Sequence, residues 1–431
     1  MKVLKYIITM TFASMICLAS VSAIENEVAS VGGVKYTTIQ EAIDNANGQT
    51  VTILSDTTES VVIATGKNIT LDLNGKTVTN VAGKHTVINH GNLTVKGDGT
   101  LDNVSHQKAA LVNEEGGVAN LISGTYTRSQ EAGKNPTTPN GNSYYTIENF
   151  GTMVIGDSVK VYNNGHYSSM IHNGYYNGAT QNPSKLYTPT LTINGGVFDG
   201  GINTVKNDDD GILKITGGSF TNTTQAAVLN WNKTTITGGE FTSDVDTVLN
   251  GKMSNTGRNA GELIITGGTF NAGSGQIIAT MSGSEDLTAA DVVVSGGTFN
   301  KEVNATYINF SEDEKEIVTN EDGTISIQYK KADYSKINEL ITKYNQMDKN
   351  KYTNESIQNV ENAINKVDYN KTILQQNEVD EWASDIEKAL NALVIKVENP
   401  NTSDMNIFAI LSCLIVSGLV TVVAGKKLLT H

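Results

Sequence analysis

One eight-residue pattern recurs through the middle of the chain and limits what the chain can fold into. Each copy has a short alternating apolar run, a Gly-Gly pair, one further residue and a phenylalanine. Successive copies start 21 to 29 residues apart. Self-similarity on this length scale predicts a solenoid, in which each repeat buries its apolar face against its neighbours. The five copies span residues 191–198, 213–220, 234–241, 263–270 and 292–299.

Each part of the repeat has a structural meaning. Alternation of apolar and polar residues, as in Leu191-Thr-Ile193, predicts a strand with one buried face. A Gly-Gly pair after the strand predicts a sharp corner, because glycine adopts positive φ without steric cost. The phenylalanine then begins a second short strand, and we expect its ring to point into the solenoid.

A second signature lies between these units, where an apolar pair or near-pair is closed by asparagine. Asparagine suits a turn because it tolerates the left-handed region and hydrogen-bonds to nearby backbone. Stacked coils would bring these amides into one column, in which each amide bonds to the next. The asparagines are Asn89, Asn113, Asn149, Asn173, Asn207, Asn230, Asn250 and Asn309.

The order strand, corner, strand and asparagine turn continues over residues 34–310. It resembles the right-handed parallel β-helix of the pectate-lyase-like superfamily, and the resemblance implies a mainly β domain over 24–330. Thr38–Ala46 is expected to form an amphipathic helix that covers the open apolar end of the solenoid. Residues 316–329 are expected to form a closing hairpin around Asp322-Gly323.

From Ala332 onward the apolar spacing changes from two residues to about 3.6, which indicates helices. Three helices near 334–347, 353–367 and 377–394 predict an antiparallel three-helix bundle over 331–396. The segments 351–356, 377–380 and 389–393 resemble the FIVAR-type module of Gram-positive surface proteins. The resemblance implies a spacer, or in some family members a ligand-binding module.

Both termini carry apolar segments. Residues 1–23 have two lysines, an apolar run and Val-Ser-Ala, the pattern of a secretory signal peptide. Residues 405–425 are predicted to form a single transmembrane helix, because 18 of them in succession lack a charge and span about 27 Å as a helix. The basic tail 426–431 is expected on the cytoplasmic side.

The linker 397–404 contains a five-residue motif directly before the predicted membrane helix. It resembles a sortase sorting signal, whose usual form is Leu-Pro-x-Thr-Gly. The resemblance implies cleavage after Thr402 by a sortase-type transpeptidase and attachment to peptidoglycan, while the alternative is a plain membrane anchor. Both place the protein on the extracellular surface of a Gram-positive-type bacterium. The motif is Asn399, Pro400, Asn401, Thr402 and Ser403.

Charge and cysteine usage narrow the possible partners. The chain has 31 basic and 45 acidic residues, a net charge of −14, and loses four lysines and one aspartate with the predicted terminal segments. A nucleic-acid partner is not expected, because it requires a basic face. The two cysteines, Cys17 and Cys413, both lie in the apolar terminal segments, so we expect no disulfide in the folded exterior.

Two stretches, 128–143 and 174–189, interrupt the regular coils and are predicted to be long loops, where solenoids often carry function. Tyrosines and two histidines, His166 and His172, cluster in and between them. Pyranose rings stack on tyrosine, which predicts a glycan-binding face, although the same tyrosines could simply half-bury themselves on a β surface. The candidates are Tyr144, Tyr145, Tyr162, His166, Tyr167, Tyr175, Tyr176 and Tyr187.

The one dense acidic run is Asp208-Asp209-Asp210, which follows an asparagine position and so predicts a turn between coils. It could hold a Ca²⁺ ion or be an ordinary turn, and no other cofactor is expected. A lyase would need an Arg or Lys base beside such a site, but Arg128 and Arg258 both fall in predicted loops of separate coils. No residue is assigned a catalytic role.

Together these features predict an envelope-anchored surface protein, a non-catalytic adhesin or glycan-binding β-helix. Its expected partners are peptidoglycan, the membrane, and a host or environmental glycan. One alternative is a polysaccharide lyase or glycoside hydrolase acting on acidic or host glycans. Another is a structural surface-layer component without a ligand.

Overall fold

The structure, a computed structural model, describes residues 26–132, 142–163, 165, 167–252, 261–282 and 291–397. Of the residues that the structure describes, 41% are in strands and 17% in helices, so this part of the chain is mainly β, as predicted. It divides into two compact units, one ending at Gln328 and the other beginning at Tyr329. The sequence pattern predicts this boundary two residues later, between residues 330 and 331.

Several predicted segments lie outside the described residues. These are the signal peptide 1–23, the motif Asn399–Ser403, the transmembrane helix 405–425 and the tail 426–431. Among the helices that the structure describes, none combines the length and apolar character needed to cross a membrane.

The first unit is built from three ladders of parallel strands. Along the chain, a strand of the first ladder is followed by one of the second and then one of the third, and each strand pairs with its counterpart one coil further on. This arrangement is consistent with a parallel β-helix, and it places one side of every strand in a shared interior.

The first ladder contains β3 (Gln49–Ile53), β6 (Asn68–Asp72), β9 (Asn92–Lys96), the first half of β12 (Val118–Arg128), the first half of β14 (Thr152–Asn163), β16 (Thr190–Ile193), β19 (Ile212–Ile215), β22 (Lys233–Ile236), β25 (Glu262–Ile265) and β28 (Val292–Val294).

The second ladder contains β4 (Thr57–Thr58), β7 (Thr77–Thr79), β10 (Thr100–Asp102), the second halves of β12 and β14, β17 (Val197–Gly200), β20 (Ser219–Asn222), β23 (Glu240–Ser243), β26 (Thr269–Ala272) and β29 (Gly297–Phe299). The third contains β5 (Val61–Ile63), β8 (Val87–Asn89), β11 (Leu111–Asn113), β13 (Ile147–Asn149), β15 (Ile171–Asn173), β18 (Asn203–Asn207), β21 (Ala226–Asn230), β24 (Asp246–Asn250) and β27 (Ile278–Thr280).

The phenylalanines of the repeat form a continuous stack inside the unit, as predicted. Their side chains are at most 1% exposed, their ring centroids lie 4.7 to 5.4 Å apart, and the planes differ by 6° to 19°. Parallel in-register pairing explains the stack, because the same repeat position recurs directly above itself in the next coil. The rings are Phe198, Phe220, Phe241, Phe270 and Phe299.

The Gly-Gly pairs form the corners between the first and second ladders. At Gly239 φ is +106°, a backbone conformation that residues with a Cβ rarely adopt. A Cβ on Gly238 would lie 2.4 Å from the carbonyl oxygen of Thr216 in the preceding coil. The first glycine is therefore needed for close stacking and the second for the turn.

The predicted asparagine column forms on the third ladder, with seven of its eight members. From Asn89 to Asn230, each side-chain amide donates to the amide oxygen of the next asparagine over 2.7 to 3.1 Å, and all seven residues are buried. Asn309 is the exception, because it is exposed and follows the 3-10 turn Ala305–Tyr307 instead of ending a third-ladder strand. The column stops at Asn250, whose partner in the next strand is Thr280.

The N-terminal end of the ladders is covered by β1 (Ala29–Val31), β2 (Val34–Tyr36) and helix α1 (Ile39–Asn45). Strand β1 pairs antiparallel with β3, and α1 buries its apolar side against the first coil, as the amphipathic pattern predicted. The carboxylate of Glu59 accepts hydrogen bonds from the first two backbone N–H groups of the helix, both at 2.8 Å.

At the other end, β30 (Lys315–Thr319) and β31 (Ile325–Tyr329) flank the predicted turn. The backbone N–H of Asn320 donates to the carbonyl of Thr324, and β31 pairs antiparallel with β29. Antiparallel strands therefore cover an edge at both ends of the parallel ladders, which limits edge-to-edge association.

The second unit contains α3 (Ser335–Gln346), α4 (Asn354–Ile364) and α5 (Gln376–Asn391), with 3-10 turns at Lys349–Lys351 and Ile373–Gln375. Helix α5 packs against both α3 and α4. The three helices lie where the apolar spacing predicted them, although α4 and α5 each end three residues earlier than expected. Their core includes Ile337, Leu340, Tyr344, Val360, Val379 and Ile386.

Replacing Asn230 with alanine should test the asparagine column. The change leaves the buried amides of Asn207 and Asn250 each without one partner, so we expect a loss of about 3 kcal/mol in the free energy of unfolding. Urea denaturation of the purified protein measures this. The control is Lys214→Ala on the exposed side of β19, which should stay within about 0.5 kcal/mol of the parent. Equal stabilities of the two variants would contradict a structural role for the column.

Candidate functional site

A row of ionisable residues runs along the outward side of the third ladder. Side chains alternate across a strand, so the residue before each column asparagine points outward. In three neighbouring coils that residue is Glu148, His172 or Lys206, and strand pairing holds the three in register. Val112 and Leu229 occupy the same position on either side. Adjacent members are therefore one strand spacing apart, about 4.8 Å.

This row lies on the outside of the ladder but is buried beneath aromatic side chains. The exposed fractions of Glu148, His172 and Lys206 are 4%, 2% and 5%. The ring of Tyr145 stacks on the imidazole of His172, with 4.4 Å between centroids and 14° between planes. The Nζ atom of Lys206 lies 4.0 Å from the ring centroid of Trp231.

Lys206 and His172 share the carboxylate of Asp208, which is fully buried. Lys206 Nζ lies 2.6 Å and His172 Nε2 3.1 Å from Asp208 Oδ2. Burial acts to raise the pKa of Asp208, but the hydrogen bond from His172 and the charge of Lys206 outweigh it and hold the pKa below its ordinary value. Burial lowers the pKa of His172.

These pKa shifts define the protonation of the row near neutral pH. Asp208 is ionised and His172 is neutral, so Nε2 of His172 carries the proton that it donates to Asp208. The other ring nitrogen, Nδ1, is then an acceptor. It is buried and has no hydrogen-bond partner among the residues that the structure describes.

Glu148 is the ionisable residue of the row whose buried charge has the fewest stabilising partners. One carboxylate oxygen accepts a hydrogen bond from the hydroxyl of Tyr144 at 3.1 Å. Burial raises the pKa of Glu148 to about 7, and the Tyr144 hydrogen bond only partly opposes this. The carboxyl therefore changes charge in the neutral range.

Above the row lies an open cleft with a volume of about 870 Å³, here called the tyrosine cleft. Two of its tyrosines are well exposed, Tyr167 at 50% and Tyr176 at 53%. Its lining residues are Gln107, Ser143, Tyr144, Tyr145, Glu148, Phe150, Tyr167, Ser168, His172, Tyr176 and Gln181. The cleft therefore combines aromatic walls with a polar floor.

The cleft brings together half of the predicted ligand-binding residues, namely Tyr144, Tyr145, Tyr167 and Tyr176. Tyr175 is buried, and its hydroxyl donates to Glu115 at 2.9 Å, so it supports the loop from within. The remaining three lie elsewhere or are not described. Tyr187 is exposed beside a separate shallow depression, Tyr162 belongs to the second-ladder half of β14, and His166 lies outside the described residues.

The acidic run Asp208–Asp210 holds the loop 174–189 against the coil. The backbone N–H of Tyr175 donates to the carbonyl of Asp209, and that of Gly178 donates to its carboxylate, both at 2.9 Å. Gly178 begins the short helix α2 (Gly178–Gln181). The amide of Asn182 donates to the carboxylate of Asp210 at 2.9 Å. Each carboxylate thus serves a protein partner, and the described residues contain no cluster of three or more His, Cys, Asp or Glu suited to a metal such as Ca²⁺.

Arg128 is the last residue of β12 rather than a loop residue, and it is fully buried. Its Nε donates to the carboxylate of Glu131 at 2.7 Å, and its terminal nitrogens donate to the carbonyls of Ser105 and Lys108 and to the side chain of Asn142. The guanidinium is therefore committed to fastening the two described ends of the loop 128–143.

The ligand-binding residues predicted from the sequence include neither Glu148 nor Lys206, and His172 was noted only as a neighbour of the tyrosines. The sequence does contain a pattern that marks these residues, because the residue before the column asparagine is ionisable in three consecutive coils. In the other coils it is apolar, as at Ile88 and Leu249. A polar residue on the outward side of a strand is ordinary, so the pattern gained meaning only when the strands were aligned.

No family model, no curated protein and no solved structure matches the chain.

Replacing Glu148 with glutamine should flatten the pH dependence of stability. The pKa is about 7 in the folded protein and near 4.5 in the unfolded chain, so the free energy of unfolding falls as pH rises between these values. We expect the change between pH 5 and pH 8 to differ by about 2 kcal/mol between parent and variant. Urea denaturation at several pH values measures it. Glu240→Gln, at an exposed position, is the control, and parallel profiles for parent and Glu148→Gln would contradict the raised pKa.

Proposed function

We propose that the chain is an extracellular surface protein that binds a glycan in the tyrosine cleft. The observation that carries this proposal is the pair of exposed tyrosines, Tyr167 and Tyr176, beside a buried polar floor. A pyranose ring has an apolar C–H face that stacks on tyrosine, while its hydroxyls need polar partners. Ser168, Gln107 and Gln181 line the same cleft and supply such groups.

The dimensions of the cleft agree with this proposal. Its volume of about 870 Å³ falls within the range of roughly 300–1,000 Å³ that is usual for small-ligand sites. The cleft opens to solvent and lies on a rigid ladder, with the loop 174–189 fixed to that ladder by Asp209 and Asp210. A preformed site of this kind avoids the entropic cost of ordering loops on binding.

We also propose that the cleft belongs to a β-helix that a helical spacer joins to an envelope anchor. Parallel coils with short crossovers favour the right-handed, pectate-lyase-like form of β-helix. The three helices over 335–391 support a FIVAR-type spacer between the β-helix and the envelope. The motif 399–403 followed by an uncharged apolar stretch supports anchoring by a sortase-type transpeptidase to peptidoglycan, after insertion of 405–425 in the membrane.

A second candidate function is catalysis in the same cleft, as a polysaccharide lyase or glycoside hydrolase. Glu148 favours it, because a buried carboxyl with a pKa near 7 beside a neutral histidine can give or take a proton at neutral pH. We place it second because the cleft offers no second free carboxylate among its described lining residues.

The double variant Tyr167→Ala, Tyr176→Ala should weaken glycan binding roughly tenfold or more, since two stacking surfaces are lost. A glycan array identifies ligands of the purified protein, and calorimetry then measures their affinities. Tyr187→Ala is the matched control, because it removes an exposed tyrosine of the same region that lies outside the cleft.

Three outcomes would count against glycan binding in the cleft. They are no bound glycan, unchanged affinity in the double variant, and an equal loss in Tyr187→Ala. New reducing ends or unsaturated products released from a bound polymer would favour the catalytic alternative.

Replacing Thr402 with alanine should prevent wall attachment. In the native bacterium, the parent protein is expected in the fraction released by a muramidase, and the variant in the membrane fraction. Immunoblotting of both fractions measures the distribution, with Thr430→Ala as the control. Membrane location of parent and Thr402→Ala alike would instead support a plain membrane anchor.

A further inference from the structure

We propose that the tyrosine cleft selects glycans that carry a free, positively charged amine. The inference rests on the proposed glycan binding and adds the chemical class of the sugar, an amino sugar with an unmodified ammonium group. Three properties of the cleft support it: the sign of its charge, the hydrogen-bonding character of its floor, and the composition of its walls.

Near neutral pH the described lining of the cleft can carry a negative charge at Glu148, while burial keeps its histidine, His172, neutral. Glu148 is its one carboxyl, and neither lysine nor arginine is among its described lining residues. Of the nearby cations, Lys206 pairs with Asp208 and Arg128 with Glu131, and Lys108, whose charge acts on Glu148, is not among the lining residues. A uronic acid would therefore enter without a cationic partner, and desolvating its carboxylate would be costly.

The floor of the cleft contains two buried hydrogen-bond acceptors. The carboxylate of Glu148 and Nδ1 of His172 belong to side chains one strand apart. Nδ1 has no partner among the described residues, because the proton of His172 sits on Nε2 and is donated to Asp208. An ammonium group carries three N–H donors and could satisfy both acceptors, whereas a hydroxyl donates only one.

The walls suit a cation as well as a sugar ring. Tyr144, Tyr145, Tyr167, Tyr176 and Phe150 line the cleft. The faces of aromatic rings attract cations, by roughly 0.5–2 kcal/mol according to the degree of desolvation. Such walls would favour an ammonium over the neutral N-acetyl form of the same sugar.

The neighbours of Glu148 decide how binding should depend on pH. The groups around its carboxyl are Tyr144, which donates to it, His172 on β15, and Glu114, Lys108 and Arg128, whose charges act on it. Burial is the largest influence on the pKa and raises it. Between pH 5.5 and pH 7 the carboxylate form rises from a few per cent to about half, which exceeds the partial loss of the proton from the sugar amine, so affinity for an amino sugar should rise severalfold.

Calorimetric titration of the full chain tests the inference with three probes at pH 7. These are a β-1,4-linked glucosamine oligomer, the N-acetylated oligomer of equal length, and an oligogalacturonate. We expect the glucosamine oligomer to bind at least tenfold more tightly than either of the others. Glu148→Gln should bring the first two to within about threefold of each other, and Glu240→Gln should preserve the difference.

The outcomes separate this inference from the proposed function. Binding of none of the three probes, and of no glycan on an array, would overturn both. Binding of the N-acetylated or uronic probe as tightly as the glucosamine oligomer would overturn only the amine preference. A preference that persists in Glu148→Gln would reflect general attraction to an acidic surface and would also overturn it. If that variant unfolds, the rise in affinity between pH 5.5 and pH 7 in the parent provides the test, and its absence contradicts the inference.

Discussion

Register between successive coils is the constraint on which the first unit depends. The asparagine column and the phenylalanine stack both require each coil to sit directly over the previous one, and a slip of one residue would turn every side chain to the opposite side of its strand. The same register places Glu148, His172 and Lys206 in one row. The repeat therefore brings ionisable side chains together wherever the residue before the column asparagine is ionisable in successive coils.

The repeat could be predicted from the sequence because its key residues act locally. A Gly-Gly pair allows positive φ at a corner, and asparagine stabilises the turn in which it lies. The corners and the column could therefore be predicted from these residues alone. The failure at Asn309 shows the limit of local information. The motif was present there, but a column member also needs a third-ladder strand, and residues 305–307 form a 3-10 turn instead. Likewise β12 and β14 pass through the corner without a Gly-Gly pair, with an irregularity in their pairing after Leu121.

The candidate site was only partly predictable, because it depends on contacts between distant segments. Tyrosines near long loops were visible in the sequence, and four of them meet in the cleft. Which tyrosines meet depends on how the loop folds back, as where Tyr175 pairs with Asp209 of the following coil. The acidic run was open to two interpretations, an ordinary turn or a Ca²⁺ site, and in the structure its Asp209 and Asp210 bond to that loop. No local pattern distinguishes a carboxylate that binds a cation from one that accepts backbone N–H groups.

The side-chain amides of the column all point the same way along the axis. Each nitrogen from Asn89 to Asn230 donates to the coil that follows, and each oxygen from Asn113 to Asn250 accepts from the coil that precedes. Aligned amide dipoles of this kind polarise one another, so their dipole moments add along the column. Every coil of the column therefore presents an amide donor to the next coil and an amide acceptor to the previous one. A whole coil can therefore be gained or lost in evolution without breaking the line, whereas a fraction of a coil cannot.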